Sequence, residues 1–179
     1  VFVILLLACH GCSSPEDKKQ AFLDKGNQLF EQKEFVKAKL EYKNAIQIDP
    51  EFALAYFQLG KTQQKLKNYK QAHGAFSKAV EFDPDNMDAR ISLGKIFLAG
   101  KAIDKAEEQA DTVLGKNASH VEAGLLKASI HFARKDYDKG EKILLQMYRA
   151  GGSSANMFVM LAAVARVNKD KKQMRSYLE

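Results

Sequence analysis

The chain has no tryptophan, and it has three prolines and two cysteines in 179 residues. Both cysteines lie within the first twelve residues, so the rest of the chain can form no disulfide framework. The four histidines are far apart and lack the spacing of metal ligands. There is also no phosphate-binding loop, no nucleophile elbow and no zinc-protease motif. The sequence therefore predicts neither an enzyme nor a cofactor, and no small-molecule substrate.

The chain is basic, with a formal net charge of +6, but it has few arginines. Lysine supplies 23 of the 28 basic residues, and we interpret these lysines as scattered rather than clustered. Without an arginine-rich stripe or a stacking-aromatic motif, nucleic acid is not a predicted partner. Two interpretations of the charge stay open: a solvated lysine surface, or attraction to a layer of anionic lipid headgroups.

The chain does contain a pattern that recurs every 34 residues. A period of this length is typical of helix–turn–helix arrays, in which each repeat packs on its neighbours. It predicts an all-α fold. The matched positions are Gly26, Ala38, Tyr42, Ala45 and Pro50 in one repeat and Gly60, Ala72, Phe76, Ala79 and Pro84 in the next.

The small and large residues of the pattern have a steric explanation. Gly60 and Ala72 allow two helix backbones to approach closely, and Phe76 is expected to fill the remaining volume. Pro50 and Pro84 are expected to end the second helix of each repeat, because a proline disfavours the helical conformation of the residue before it.

These positions resemble the tetratricopeptide repeat family. The match is close in the first two repeats, where Phe22 and Tyr56 stand at the position that the family gives to tryptophan. It weakens in the third repeat, where Ala110 and Ala118 replace the aromatic residue and the proline. The resemblance implies a right-handed α-solenoid that binds other proteins. The predicted array covers residues 15–179, with units at 19–52, 53–86, 87–120 and 121–154 and an incomplete unit at 155–179.

In this family the first helices of successive units line a concave groove, and the resemblance implies which side chains face it. Lys61, Lys65 and Lys95 would favour an acidic segment of a partner protein. The alternative is that these residues pack the array or face water. The implied groove residues are Asn27, Phe30, Phe57, Gln58, Lys61, Gln64, Lys65, Ile91, Ser92, Lys95 and Leu98, with Leu125 and Phe132 beyond them.

The N-terminal residues resemble the leader of a bacterial lipoprotein. We interpret the apolar residues 1–8 as a partial signal peptide and Cys9 as the lipidated cysteine, with Cys12 as the rival. A buried N-terminal helix with an incidental cysteine is the other interpretation. His10 stands where an aspartate would favour retention in the inner membrane, so the outer membrane is favoured within a predicted cell-envelope location.

Two further expectations concern the ends of the array. Ser14 and Pro15 suit the cap and the first position of a helix, so the tether 9–14 would hold the array within ~18 Å of the membrane. Residues 157–165 are apolar on nearly every helix face, which predicts a helix buried on all sides. We also expect the natural protein to continue with further repeats.

Together these features predict a lipid-anchored scaffold of the cell envelope that binds another protein during assembly or export of surface components. They resemble the repeat lipoproteins of exosortase-linked surface and polysaccharide export systems. A purely structural spacer is one alternative. The N-terminal part of a pilus or outer-membrane assembly lipoprotein is another.

Overall fold

The computed structural model describes residues 14–177, and all regular secondary structure in that part of the chain is α-helical. The predicted leader, the lipidation site Cys9 and most of the tether lie outside the described residues. The helices are α1 (Pro15–Glu31), α2 (Phe35–Ile48), α3 (Ala53–Lys65), α4 (Tyr69–Phe82), α5 (Met87–Ala99), α6 (Ile103–Lys116), α7 (Val121–Ala133), α8 (Tyr137–Arg149), α9 (Ala155–Val167) and α10 (Lys171–Ser176).

The helices pair as successive hairpins, α1 with α2 and so on to α9 with α10. Three residues separate the two helices of each hairpin, a connection that makes them antiparallel neighbours. Hairpins begin at a spacing close to the 34-residue period, which confirms the predicted all-α repeat fold.

The chain divides into two compact units, which meet in sequence between Phe82 and Asp83. The first unit contains α1–α4 around a core that includes Leu23, Tyr42 and Leu59. The second unit contains α5–α10 and two apolar clusters. The larger buried side chains of these clusters are Ile91, Val113, Leu126, Ile130, Leu125, Leu144, Met147, Met157 and Leu161.

The first helix begins where the sequence predicts. The Ser14 hydroxyl accepts a hydrogen bond from the Asp17 N–H (3.0 Å), and the Asp17 carboxylate accepts one from the Ser14 N–H (3.1 Å). This reciprocal capping box satisfies two backbone donors at the helix end. The Ser14 side chain and backbone donors lower the pKa of Asp17.

The predicted close packing of small residues against aromatic rings is confirmed. A Cβ atom added at Gly26 would lie 2.5 Å from the Tyr42 ring, and one at Gly60 would lie 2.6 Å from the Phe76 ring. Both rings are completely buried. The third repeat lacks this aromatic residue, and Leu126 from α7 fills the space beside Gly94 instead.

Each hairpin turn contains a lysine in the left-handed backbone conformation. The φ angles lie between 61° and 64° at Lys33, Lys67, Lys101, Lys135 and Lys169. In each turn the lysine N–H donates to a carbonyl three residues back and the following N–H donates to one five residues back, as in a Schellman motif. The left-handed residue lets these donors satisfy carbonyls at the end of the first helix.

The expectation that α9 is buried on every side is wrong for part of its surface. Within residues 157–165 Val159 is 59% exposed, whereas Met157 and Leu161 are buried in the core. The exposed Val159 side chain borders a groove described below. Within residues 14–177, no helix is both long and apolar enough to cross a bilayer.

Candidate functional site

The groove residues predicted in the first unit lie on α1 and α3. Asn27 is half-buried, and its side-chain oxygen accepts a 3.0 Å hydrogen bond from the Tyr42 hydroxyl. Burial, with a smaller contribution from the Glu31 carboxylate, raises the pKa of Tyr42 to about 12. Asn27 therefore holds the buried phenol in a fixed position and has less freedom to bind a partner.

Lys61 lies between two aromatic rings on this surface. Its Nζ atom is 5.2 Å from the centroid of the Phe30 ring and 5.5 Å from that of the Phe57 ring. Among the described residues Lys61 makes no ion pair, so the rings orient a cation whose charge is not compensated by a carboxylate. Gln58 and Gln64 are half-buried beside it, and Lys65 is exposed. The structure brings these predicted residues together as a basic, aromatic surface.

The second unit has a groove between its first helices α5, α7 and α9. The cavity has a volume of about 410 Å³, and its lining is mostly apolar. Leu98 and Leu125, both predicted groove residues, lie in it. Val159 and Met160 of α9 complete its wall, and the 59% exposure of Val159 leaves an apolar side chain open to a partner.

Polar groups lie at the rim of this groove. Lys95 Nζ is 2.5 Å from Glu122 Oε2, and both side chains remain about half exposed. Asn156 and Ser129 add hydrogen-bonding groups. Because Glu122 already pairs with Lys95, this groove is close to neutral, in contrast to the basic surface around Lys61.

A smaller apolar cavity of about 210 Å³ lies between α7, α8 and α9 and shares Met160 with the groove. Phe132, another predicted groove residue, lines it and packs over Gly140, with its ring centroid 6.1 Å from that of Tyr137. Arg166 lies at its edge. Together the two cavities are lined by residues of α5, α7, α8 and α9.

Not every predicted residue lines a surface. Ile91 is 4% exposed and belongs to the core of the second unit, and Ser92 is half-buried outside the lining of the groove. Sequence reasoning did not select Glu122, Val159 and Met160. The 34-residue period could have found two of them, because Val159 lies one period after Leu125 and Met160 lies two periods after Ser92, both predicted groove residues.

Within the described part of the chain, no cluster of three or more His, Cys, Asp or Glu side chains could hold a metal ion. His131, which is 14% exposed, has its Nδ1 atom 3.6 Å from the Asp136 carboxylate.

Two family profiles match the chain. The profile described as TPR repeat matches residues 26–67, and that described as Tetratricopeptide repeat matches residues 65–130. Together they span more than half of the chain. No curated protein sequence matches it.

Solved structures share the fold at low sequence identity. YrrB, described as a TPR protein with an unusual peptide-binding site, is 19% identical with a TM-score of 0.70, over 91% of this chain and 85% of YrrB. MamA from Desulfovibrio magneticus is 15% identical with a TM-score of 0.78, over 92% of this chain and 93% of that one. PilF from Pseudomonas aeruginosa is 18% identical with a TM-score of 0.55, over 91% and 90%. These likenesses are in fold alone.

Proposed function

The chain belongs to the tetratricopeptide repeat family, whose members bind proteins or peptides. From this membership and from the lipoprotein-like residues 1–9, we propose that it is a lipid-anchored scaffold of the bacterial cell envelope. Its task is to hold a segment of another protein during assembly or export of surface components. The exposed apolar groove along α5, α7 and α9 is the observation that carries the binding proposal.

The groove favours a partner segment with apolar anchors. Its walls are formed by Leu98, Leu125, Val159 and Met160, and its rim carries the Lys95–Glu122 pair. Amphipathic segments dock in such grooves by burying apolar side chains, while polar rim groups set orientation. YrrB, a TPR protein with an unusual peptide-binding site, supports this use of the fold.

The first unit adds a preference for acidic residues in the partner. Lys61 is oriented by two rings and has no carboxylate partner among the described residues, and Lys65 is exposed nearby. A carboxylate on the partner would complete this arrangement. The proposed acidic preference therefore belongs to the surface around Lys61 and not to Lys95.

Photo-crosslinking in the native cell tests the scaffold function. A photoreactive residue at Val159 or Lys61 is expected to capture one dominant envelope protein. The same residue at Lys142 on α8 or Lys78 on α4 is a matched control from the second helices of the same units. Equal capture from all four positions, or none, would contradict groove binding and favour a structural spacer.

Charge substitutions test whether the captured protein binds through the groove and the surface around Lys61. Val159→Glu places a carboxylate in the apolar groove and is expected to abolish capture by the photoreactive residue at Lys61. Lys61→Glu is expected to weaken capture by the photoreactive residue at Val159. Both side chains are outside the core, so the thermal midpoint should change little. A functional phenotype without loss of folding separates a binding scaffold from a spacer.

The lipid anchor is tested separately. Metabolic labelling with a radioactive fatty acid in the native cell is expected to label the wild type and the Cys12→Ser variant but not Cys9→Ser. Fractionation would then show whether the labelled protein is in the outer membrane. Labelling of Cys9→Ser but not Cys12→Ser would assign the anchor to Cys12, and no labelling of the wild type would remove lipidation from the proposal.

A further inference from the structure

The lysines of the hairpin turns occupy a backbone conformation that disfavours them. A left-handed residue at the end of a helix is usually glycine, because a side chain is strained there. This chain uses glycine for the same purpose at Gly151 (φ 86°), between α8 and α9. All five hairpin turns nevertheless carry lysine at this position. Because lysine is strained in this conformation, its recurrence in all five turns suggests that the lysine side chains have a function.

The net positive charge of the chain is concentrated at these turns. Counting Lys and Arg against Asp and Glu, residues 32–37 and 66–71 carry +1 and +2 in the first unit. Residues 100–105, 134–139 and 168–173 carry +1, +1 and +2 in the second unit. The whole chain carries +6, so the rest of the sequence has no net positive charge. The lysines are spread along the chain, but carboxylates offset those outside the turns.

The turns at the other end of the helices differ in charge. In the first unit, residues 48–54 connect the two hairpins and carry −2. In the second unit, residues 116–122 and 150–156 connect successive hairpins and carry no net charge. Each unit thus has one end that attracts anions and one that does not.

The turn lysines are available to bind. All five are exposed, and none makes an ion pair within the described residues. The neighbouring carboxylates of Glu34, Asp104 and Asp136 are instead paired with Lys37, Arg134 and Lys139. In the second unit successive hairpins pack at roughly 10 Å, so each turn lysine lies within about a Debye length of the next one.

Exposed apolar side chains accompany these charges. Val36, Tyr69 and Val167 are 63%, 60% and 50% exposed, and each lies within three residues of a turn lysine. A soluble polyanion would gain little from apolar contacts, whereas a bilayer interface accepts lysine, tyrosine and aliphatic side chains together. This combination favours a lipid surface over a nucleic acid or an anionic polysaccharide.

We propose that the hairpin-turn end of each unit is a docking surface for anionic lipid headgroups. We call this surface the lysine edge, defined by Lys33 and Lys67 in the first unit and Lys101, Lys135 and Lys169 in the second. The lysine edge is separate from the groove and does not depend on the proposed partner. With the lysine edge on the bilayer, the groove would lie on the side of the hairpins and would not face the lipid.

The test compares vesicle binding of the unlipidated 179-residue chain with that of two variants of equal charge. The edge variant carries K33N, K67N, K101N, K135N and K169N, because asparagine tolerates the left-handed conformation. The control variant carries K18Q, K39Q, K43Q, K142Q and R149Q, which lie in helices away from the turns. The probes are vesicles of phosphatidylcholine with about one third phosphatidylglycerol, and vesicles of phosphatidylcholine alone.

The wild type and the control variant are expected to bind the anionic vesicles, with affinity that falls as salt is raised. The edge variant should bind about fivefold more weakly for each lysine that touches the surface, so three contacts amount to roughly a hundredfold. Equal loss in both variants, or equal binding of the wild type to neutral vesicles, would overturn the proposal. Binding to heparin with no binding to anionic vesicles would also overturn it, in favour of a soluble polyanion. Far-UV circular dichroism of both variants excludes unfolding as the cause.

Discussion

At the scale of single residues, the same substitution should have opposite effects at two glycines of the first unit. A methyl group at Gly60 would meet the buried Phe76 ring at 2.6 Å, so Gly60→Ala should lower the free energy of unfolding by about 1–3 kcal/mol. Gly74 has no atom within 4 Å of an added Cβ, so Gly74→Ala should raise it by about 1 kcal/mol through helix propensity. Urea unfolding measures both. A loss of stability at both positions would show that packing does not explain the effect.

The turn lysines give a second contrast at this scale. Lys135 has a φ angle of 64°, so Lys135→Gly removes side-chain strain while it adds freedom to the unfolded chain. We expect the free energy of unfolding to stay constant or rise by up to about 1 kcal/mol. Lys142 lies inside α8, where the same substitution should lower it by about 0.5–1 kcal/mol. Thermal unfolding followed by circular dichroism compares the two, and a clear loss at Lys135 would contradict the assignment of strain.

At the scale of helices, α6 and α7 are joined by a network of ion pairs. The Glu107 carboxylate on α6 accepts hydrogen bonds from Lys127 (2.5 Å) and is paired with Arg134 (2.6 Å), while Lys127 also contacts Asp111 (2.8 Å). The Glu107 side chain is 24% exposed, so water screens it less than it does most surface carboxylates. Lys127, and to a smaller extent Arg134, lower the pKa of Glu107.

This network should make stability depend on pH in the acid range. Because the folded state lowers the pKa of Glu107, its contribution is present above the unfolded pKa and is lost as pH falls through the folded pKa. The free energy of unfolding should therefore fall less steeply between about pH 5 and pH 3 in Glu107→Gln than in the wild type. Glu108→Gln removes an exposed neighbour and should leave the slope unchanged. Identical slopes in all three proteins would remove Glu107 from the acid response.

The sequence predicts most elements because their determinants are local or periodic. Ser14 and Pro15 specify the start of α1, and Gly60 with Phe76 specifies how α3 meets α4. The packing of Leu126 over Gly94 could not be foreseen, because it joins positions 32 apart after the usual aromatic residue is lost at Ala110. The lysine edge was overlooked although its period is visible, since glycine is the residue expected at those turns.

At the scale of the whole molecule, local packing limits which surface residues can be inferred. Leu98 and Leu125 were placed in the groove by register alone, and both line it. Ile91 shares the register of Leu125 and is buried to a similar extent (4% against 5% exposed), but it belongs to a core cluster and does not line the groove. The repeat pattern predicts which helix face is near the groove, but the exposed fraction of each side chain depends on its neighbours in three dimensions.

A whole-molecule prediction follows from how the helices contact one another. In repeat arrays each helix packs mainly on its sequence neighbours, so a defect should weaken nearby hairpins more than distant ones. Leu144 on α8 is completely buried in a cluster with residues of α7 and α9, so Leu144→Ala should lower local stability by about 2–5 kcal/mol. In hydrogen exchange followed by mass spectrometry, we expect faster exchange in α7–α9 and little change in α1 and α2. Leu40→Ala on α2, where the side chain is 57% exposed, is the control and should leave exchange unchanged throughout. Uniformly faster exchange from α1 to α9 in Leu144→Ala would contradict this prediction, since it would mean that the hairpins unfold as one cooperative structure.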